Sequence, residues 1–280
     1  MSALAAVLGL AVGLVLGLLG GGGSILAVPI FLYVFHIPPK PAIAMSLVVV
    51  GMSAFVGFLV HWHQGTVNVR IAAGFGALAM VGAFGGARIA RFVPASVQLA
   101  LFAVFALTAA ILMLRDSTRA VRRARSRGPI TPITPPIAEV IGVPGVMTTA
   151  ASAGAPGPQR FSAMLGVEAV AVGVLTALIG AGGGFLIVPA LVLMANVPVK
   201  EAVGSSLLII AMNASSGVAG YIGQVAFDWP LVASFTGVAA VGAITGTRLM
   251  RRVPAARIKQ GFAIMILVLG TYLVIRRLTH

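Results

Sequence analysis

The sequence predicts an all-α, polytopic membrane protein made of two inverted repeats, each with a glycine-broken helix pair. Composition is the first observation, because 59% of the 280 residues are apolar and only 9% are charged, whereas soluble domains carry about 25% charged residues. The second observation is that the apolar runs are long and do not alternate, which indicates helical spans rather than a β-barrel. The third is that the sequence repeats itself at a constant offset of 160 residues.

The repeat is defined by residues that occupy fixed positions in both halves. Pro29 corresponds to Pro189, and the offset then holds without a gap to Pro94 and Pro254. We therefore divide the chain into a first transmembrane repeat (1–115), a basic, proline-rich cytoplasmic linker (116–160) and a second transmembrane repeat (161–280). Further matching pairs are Pro38 and Pro198, Lys40 and Lys200, Ser46 and Ser206, Gln64 and Gln224, Gly82 and Gly242, Gly86 and Gly246, Arg88 and Arg248, and Arg91 and Arg251.

Each repeat begins with two apolar runs that are separated by glycines. In the first repeat these runs are Ala3–Leu19 and 25–35. One straight helix over both would be about 50 Å long, against a hydrocarbon core of about 30 Å, so the glycines must either turn the chain or break the helix. The later runs are 42–60, 69–87 and 94–114, and those of the second repeat are 161–179, 185–195, 202–221, 227–247 and 254–275.

The distribution of basic residues favours inverted repeats. If each repeat crosses the membrane an odd number of times and the linker is cytoplasmic, 14 of the 19 basic residues lie on the cytoplasmic side and 5 on the other. An even number of crossings would give 10 and 9. Because cytoplasmic loops of membrane proteins carry the excess of Lys and Arg, we predict the inverted arrangement.

Composition also limits the function classes. The chain has no cysteine, four histidines and five acids, so we expect no metal site, no cofactor and no enzyme activity, since no catalytic constellation is present. The net charge of +14 would suit nucleic acid, but the basic residues lie at run ends and in the linker, as loop charges do in membrane proteins. The expected partners are therefore the lipid bilayer and a small anionic substrate, and assembly into a homo-oligomer stays open.

The two glycine-rich breaks are the first candidate site. Glycine lets backbone N–H groups approach a ligand closely, and the start of a helix offers unpaired N–H groups and the positive end of its dipole to an anion. The alternative is close helix packing, which we favour for the spaced glycines of 82–86 and 242–246. The candidate substrate-binding residues at the breaks are Gly20, Gly22, Gly23, Ser24, Gly180, Gly182, Gly183 and Gly184.

Polar residues on the third run of each repeat are the second candidate. Ser46 and Ser53 are seven residues apart and share a helix face, and Ser206 and Asn213 share the equivalent face. Polar groups within a membrane need partners and face a bundle interior or a cavity. The alternative for each serine is a hydrogen bond to its own helix. We add Ser46, Ser206, Asn213 and Gln224 to the substrate-binding candidates.

Five charged or titratable residues are candidates for coupling or gating. His61 and His63 lie near a run end, where they could anchor the chain at the membrane interface or handle protons. Glu168 lies well inside an apolar run, where it could carry a coupling proton or reach the interface. Arg88 and Arg248 end the fourth runs, where they could cap the helix or attract anions.

The motifs together resemble the sulfite exporter TauE/SafE family. The resemblance rests on the glycine segments ending at Pro29 and Pro189, on Pro-x-Lys-x-Ala-x-x-x-Ser at 38–46 and 198–206, and on Gly-x-x-x-Gly-x-Arg at 82–88 and 242–248. It covers both repeats and leaves out the linker. The first copy departs from the second by Gly21 in place of Ala181 and by Ser24 in place of Gly184.

The resemblance implies a multi-pass carrier of the inner membrane for sulfite, sulfonates or related small anions. We therefore predict a transporter that exports a small anion, sulfite or an organosulfonate, through a site between the two glycine-broken helices. The alternative is a non-transporting membrane scaffold or receptor, in which the glycines serve packing alone.

Overall fold

The computed structural model describes residues 3–19, 23–105, 107–108, 163–180, 183–184, 187–188, 191 and 197–249. No β-strand occurs in these segments. The linker, the last apolar run and most of the second run of the second repeat lie outside the described residues. The helices are α1 (Ala3–Leu19), α2 (Ser24–Pro29), α3 (Pro39–His63), α4 (Val69–Ile89), α5 (Ala95–Phe105), α6 (Ala163–Ile179), α7 (Val199–Tyr221) and α8 (Trp229–Leu249).

The prediction of an all-α, polytopic protein is confirmed. Within the described residues, α3, α4, α7 and α8 are each long and apolar enough to cross a membrane. The other apolar helices, α1, α5, α6 and the arm that begins at Ser24, are shorter. Helix α3 begins at Pro39, before the predicted residue 42, because prolines are tolerated in the first turn of a helix, where backbone N–H groups have no partner within the helix.

The second apolar run forms a short helical arm. α2 continues into one π-helical turn, Ile30–Val34, with Pro29 at the junction. A proline has no N–H to donate, and the wider turn is closed by the N–H of Phe35, which donates to the carbonyl of Ile30 at 3.2 Å. The arm Ser24–Val34 is about 16 Å long, too short to cross a hydrocarbon core of about 30 Å.

The first arm turns back onto the helix that precedes it. A side chain placed on Gly23 would collide with the backbone of Val12 and Leu16 in α1. In a continuous helix, residues seven positions apart would lie about 10 Å from one another, so this contact favours a turn of the chain over a broken straight helix. The arm also packs on α8, where the ring centroids of Phe31 and Phe235 are 5.2 Å apart.

The first helix of each repeat packs against the fourth helix of the other repeat. A side chain at Gly13 of α1 would collide with Ala239 of α8, and the repeat-related Gly173 of α6 would collide with the equivalent residue of α4, Ala79. Gly82 with Val170 and Gly242 with Leu10 form a second such pair of contacts. The two halves are thus related by a pseudo-two-fold axis, and small residues let the paired backbones touch.

The central pair of helices, α3 and α7, is antiparallel. Along α3, Gly51 packs on Ala214 and Gly57 packs on Leu207, so residue numbers rise on one helix as they fall on the other. Helices α3 and α7 occupy the same position in their repeats. Equivalent helices that cross a membrane in opposite directions are the arrangement that inverted repeats require, so the packing supports the predicted inversion.

Candidate functional site

The polar face predicted on the third runs lies inside the bundle. Ser46, Ser53, Ser206 and Asn213 are all fully buried, with no exposed surface. On the other side of α3 lie exposed apolar residues such as Met52 and Phe55. The central pair therefore presents one side to the surroundings of the bundle and one side, which we call the inner polar face (Ser46, Ser53, Ser206 and Asn213), to its interior.

Ser53 and Asn213 lie close to the pseudo-two-fold axis at the centre of this face. Because Gly51 packs directly on Ala214 in the antiparallel pair, Ser53 and Asn213 differ in level along the bundle by about 1.5 Å. The Oγ of Ser53 and both polar atoms of the Asn213 amide are buried and make no hydrogen bond in the structure as described. Leaving a buried polar group unpaired costs about 1–3 kcal/mol, so these atoms are the strongest indication of a binding site.

Ser46 joins the inner polar face to the second glycine break. Its Oγ lies 2.7 Å from the carbonyl oxygen of Ile43, on its own helix, and 2.8 Å from that of Gly180. A hydroxyl has one hydrogen to donate, so the two carbonyls share it. Both predicted roles therefore meet in this residue, a bond within the helix and a contact with the glycine break.

The second break is shaped by left-handed glycines. Gly180 and Gly183 have φ of 75° and 65°, a region that glycine enters without strain. A side chain at Gly180 would lie 2.8 Å from the Oγ of Ser46, and one at Gly183 would collide with the Oγ1 of Thr176. The Thr176 hydroxyl is itself buried and unpaired within the described residues. Side chains are thus excluded where the break meets α3 and α6.

The remaining glycine candidates have different surroundings. Gly23 and Ser24 are buried at the start of the first arm, and Gly184 is buried in the second break. Gly20, Gly22 and Gly182 lie outside the described residues. The contacts of these segments with a ligand stay a prediction.

Ser46, which contacts the second break, and the equivalent Ser206 lie at different depths along the central pair. The second break contacts α3 at Ile43 and Ser46, whereas Ser206 lies near Gly57, because the adjacent Leu207 packs there. The levels of Ser46 and Ser206 are therefore about 18 Å apart along α3. Ser53 and Asn213 lie roughly midway between them, so the structure brings these two residues together and separates the two serines.

Gln224 and Ser206 make bonds to the backbone. The Nε2 of Gln224 donates to the carbonyl of Ala87 at 3.2 Å, which ties the end of α7 to the end of α4. The Oγ of Ser206 donates to Val203 on its own helix at 2.8 Å. Gln224 lies three residues beyond Tyr221, the last residue of α7, and is well away from the centre of the inner polar face.

The two predicted gating histidines lie in different surroundings. His61 is buried, and its Nδ1 lies 2.8 Å from the Oγ1 of Thr66 in the turn between α3 and α4. His63 is exposed, and its Nδ1 lies 2.7 Å from the carbonyl of Leu59. Trp62 between them is half exposed and packs edge-on against Phe58, as expected for an interfacial anchor.

The charged candidates divide between the helix ends and the helix interior. Arg88 and Arg248 are exposed in the last turns of α4 and α8, and the Arg88 guanidinium lies 5.3 Å from the ring centroid of Phe84. Glu168 lies on α6, with one carboxyl oxygen buried and unpaired within the described residues. No Lys or Arg is among the buried residues of the part of the chain that the structure describes.

Sequence reasoning did not assign a site role to two residues that the structure brings to attention. The sequence predicts Ser53 on the correct face but not among the binding residues, because an unpaired hydroxyl cannot be recognised without its neighbours. Tyr221 occupies the position that His61 has in the first repeat, and its hydroxyl donates to the carbonyl of Ala177 at 2.9 Å. The offset of 160 residues between the repeats relates Tyr221 to His61, so this equivalence can be read from the sequence.

A bundle of two repeats around a buried polar face is typical of polytopic helical membrane transporters. The family model described as sulfite exporter TauE/SafE matches residues 5–273, and the chain belongs to that family. The resemblance drawn from the motifs is confirmed.

Three relatives are similar along most of the chain, and each is named a probable membrane transporter protein. One from Xylella fastidiosa (strain 9a5c) is 31% identical over 95% of this chain and 92% of its own length. Another from Xylella fastidiosa (strain Temecula1) is 29% identical with the same coverage. The Bacillus subtilis protein YdhB is 26% identical over 88% of this chain and 89% of its own length. No solved structure matches the chain.

Proposed function

We propose that this transporter exports a small anion, sulfite or an organosulfonate, across the inner membrane, and that the anion binds at the inner polar face. The observation that carries the proposal is the fully buried amide of Asn213, which has no hydrogen-bond partner in the described structure. Asn213 lies near the pseudo-two-fold axis, at nearly the same level along the bundle as Ser53. An unpaired polar group at this depth is costly unless a ligand completes its hydrogen bonds.

The chemistry of these groups favours an oxyanion that also carries a donor. The Nδ2 of Asn213 offers two N–H donors and Ser53 offers one O–H, while the Oδ1 of Asn213 is an acceptor. Hydrogen sulfite, or a sulfonate with an N–H or O–H group, presents both acceptors and a donor. Since no basic side chain is buried among the described residues, hydrogen bonds and helix ends would hold the anion without a counter-charge.

The relation between the repeats supports alternating access. The second glycine break contacts the central pair at Ser46, and the equivalent Ser206 lies at a level about 18 Å away, with Ser53 and Asn213 between them. Because the halves are nearly equivalent, opening at one break and opening at the other are related motions around one central site. The scaffold alternative leaves the unpaired amide without a role, and the family assignment favours transport.

The test is ligand-induced stabilisation of the purified protein combined with flux into proteoliposomes. Sulfite, thiosulfate, small sulfonates and carboxylates are compared with neutral analogues at matched ionic strength. We expect a sulfur oxyanion to raise the melting temperature and to cross the vesicle membrane in a protein-dependent way. If no anion does either, while a neutral analogue does, the assignment to anions is wrong.

A further inference from the structure

Glu168 lies on the side of α6 that faces away from α4. The α6 residues that contact α4 are Val170, Gly173 and Val174, and at 100° per residue Glu168 lies roughly opposite to them. The preceding Val167 is 72% exposed, whereas Glu168 is half-buried. The carboxyl group is therefore at the border between the apolar exterior and the interior of the bundle.

The packing of α6 on α4 places Glu168 at mid-depth. Gly82 of α4 meets Val170, and Gly86 meets Val174. Glu168 is therefore level with about residue 80 of α4, which runs from Val69 to Ile89 and is long and apolar enough to cross the membrane. This geometry argues against an interfacial position for the carboxyl group and places it near the level of Asn213.

The described structure offers Glu168 no counter-charge at this level. Its Oε2 is buried without a hydrogen bond. An ionised carboxylate without a partner is costly in hydrocarbon, whereas a carboxylic acid is tolerated. Among the described helices that pack on α6, the charged or titratable residues all lie in first or last turns: Lys40, His61 and His63 on α3, Arg70 and Arg88 on α4, and Lys200, Glu201 and Tyr221 on α7.

The fold does not require an acid at this position, because the equivalent residue of the first repeat is Leu8. A residue that is costly in its surroundings and dispensable for packing calls for a functional explanation. We propose that Glu168 is a proton-binding site of the transport cycle, which binds a proton in this conformation and releases it to water when the same side of α6 becomes exposed to water. The link to anion movement rests on the proposed function, but proton binding itself does not.

The first test is chemical and needs no substrate. The intact protein in proteoliposomes is treated at neutral pH with dicyclohexylcarbodiimide, which partitions into membranes and reacts with protonated carboxyl groups, and the modified peptide is identified by mass spectrometry. We expect modification at Glu168, reduced at higher pH, and none at Glu201 in the first turn of α7. Absence of modification at Glu168 in the well-folded protein would overturn the proposal.

The second test measures protons directly. Vesicles that contain a trapped pH indicator receive an anion gradient, and proton flux per anion is compared for the unmodified protein, Glu168→Gln and the control Glu201→Gln. We expect Glu168→Gln to move the anion with at least a tenfold lower proton flux, and the control to keep the original ratio. An unchanged ratio in a folded Glu168→Gln variant would refute the coupling role. If no anion moves with any variant, the proposed function fails, and the carbodiimide result alone decides on proton binding.

Discussion

At the residue scale, replacing Asn213, whose amide is unpaired in the described structure, tests whether this residue has a functional or a structural role. Replacing it with leucine removes buried polar atoms that have no hydrogen bond among the described residues, so we expect the ligand-free protein to be equally stable or up to about 1–3 kcal/mol more stable. Because the same change removes the donors for the anion, ligand-induced stabilisation should be lost. Both quantities come from thermal unfolding of Asn213→Leu with and without the anion.

Ser215→Ala is the matched control on the same helix. Ser215 is exposed on the other side of α7, where its Oγ donates to the carbonyl of Ala211 at 2.7 Å. This variant should bind the anion as the unmodified protein does. A stable Asn213→Leu variant that still binds normally would remove the inner polar face from the site.

Ser46 should behave differently from Asn213, because its hydroxyl already has partners. Ser46→Ala deprives the Gly180 carbonyl of a donor at 2.8 Å, and the loss of one such bond costs about 1 kcal/mol. We expect a lower melting temperature without ligand. Ser234→Ala, which loses only a bond within its own helix, should be close to neutral. Equal effects of the two changes would mean that the bond to the break does not stabilise the fold.

At the element scale, two glycines of α4 differ in whether a neighbouring helix packs against them. A side chain at Gly82 would collide with the backbone of Val170 on α6, whereas Gly85, three residues later, has open space within 4 Å. Gly82→Ala should therefore destabilise the protein by several kcal/mol or reduce its insertion, since two backbones must move apart. Gly85→Ala should be neutral or slightly stabilising. Unfolding of both variants in detergent measures the difference, and similar stabilities would contradict close packing.

Helix positions followed from the sequence far better than helix partners did. The apolar runs located α1, α4, α6 and α7 to within a few residues, because a span must be long and apolar. The pairing of α1 with α8 could not be predicted, because small residues indicate close contact without naming the partner. The π-helical turn after Pro29 also needed the structure, since a proline within an apolar run can equally end a helix.

At the scale of the whole molecule, the site depends on symmetry that the sequence shows only as a repeat. The spacing of seven residues predicts that Ser46 and Ser53 share one helix face, and the offset of 160 makes the face of Ser206 and Asn213 equivalent to it. The antiparallel register of α3 and α7 then brings Ser53 and Asn213 to one level and separates the two serines. Which polar atoms lack a partner is decided by tertiary packing, so the sequence alone could not distinguish the unpaired Asn213 from the hydrogen-bonded Gln224.

The charged helix ends lie at two opposite ends of this antiparallel bundle. Lys40 of α3 donates to the carbonyl of Arg91 at 3.0 Å, beyond the end of α4. Arg70 begins α4 at the other end of the bundle, where the turn after α3 meets α7 at Gly204. The charge count predicts Arg70 on the side of the basic linker and Lys40 with Arg91 on the opposite side, and the structure places these two groups at opposite ends of the bundle.

The inverted arrangement makes a prediction about accessibility that single cysteines can test, because the chain has no cysteine of its own. His63 ends α3 and is exposed, and Ile222 follows α7 and is 62% exposed. Since α3 and α7 are antiparallel, these equivalent ends must lie on opposite sides of the membrane. We expect a membrane-impermeant maleimide to label His63→Cys from the cytoplasmic side and Ile222→Cys from the other side. Labelling of both from one side would rule out inversion, whereas opposite sides in the reverse order would keep the inversion and overturn the orientation inferred from the basic residues.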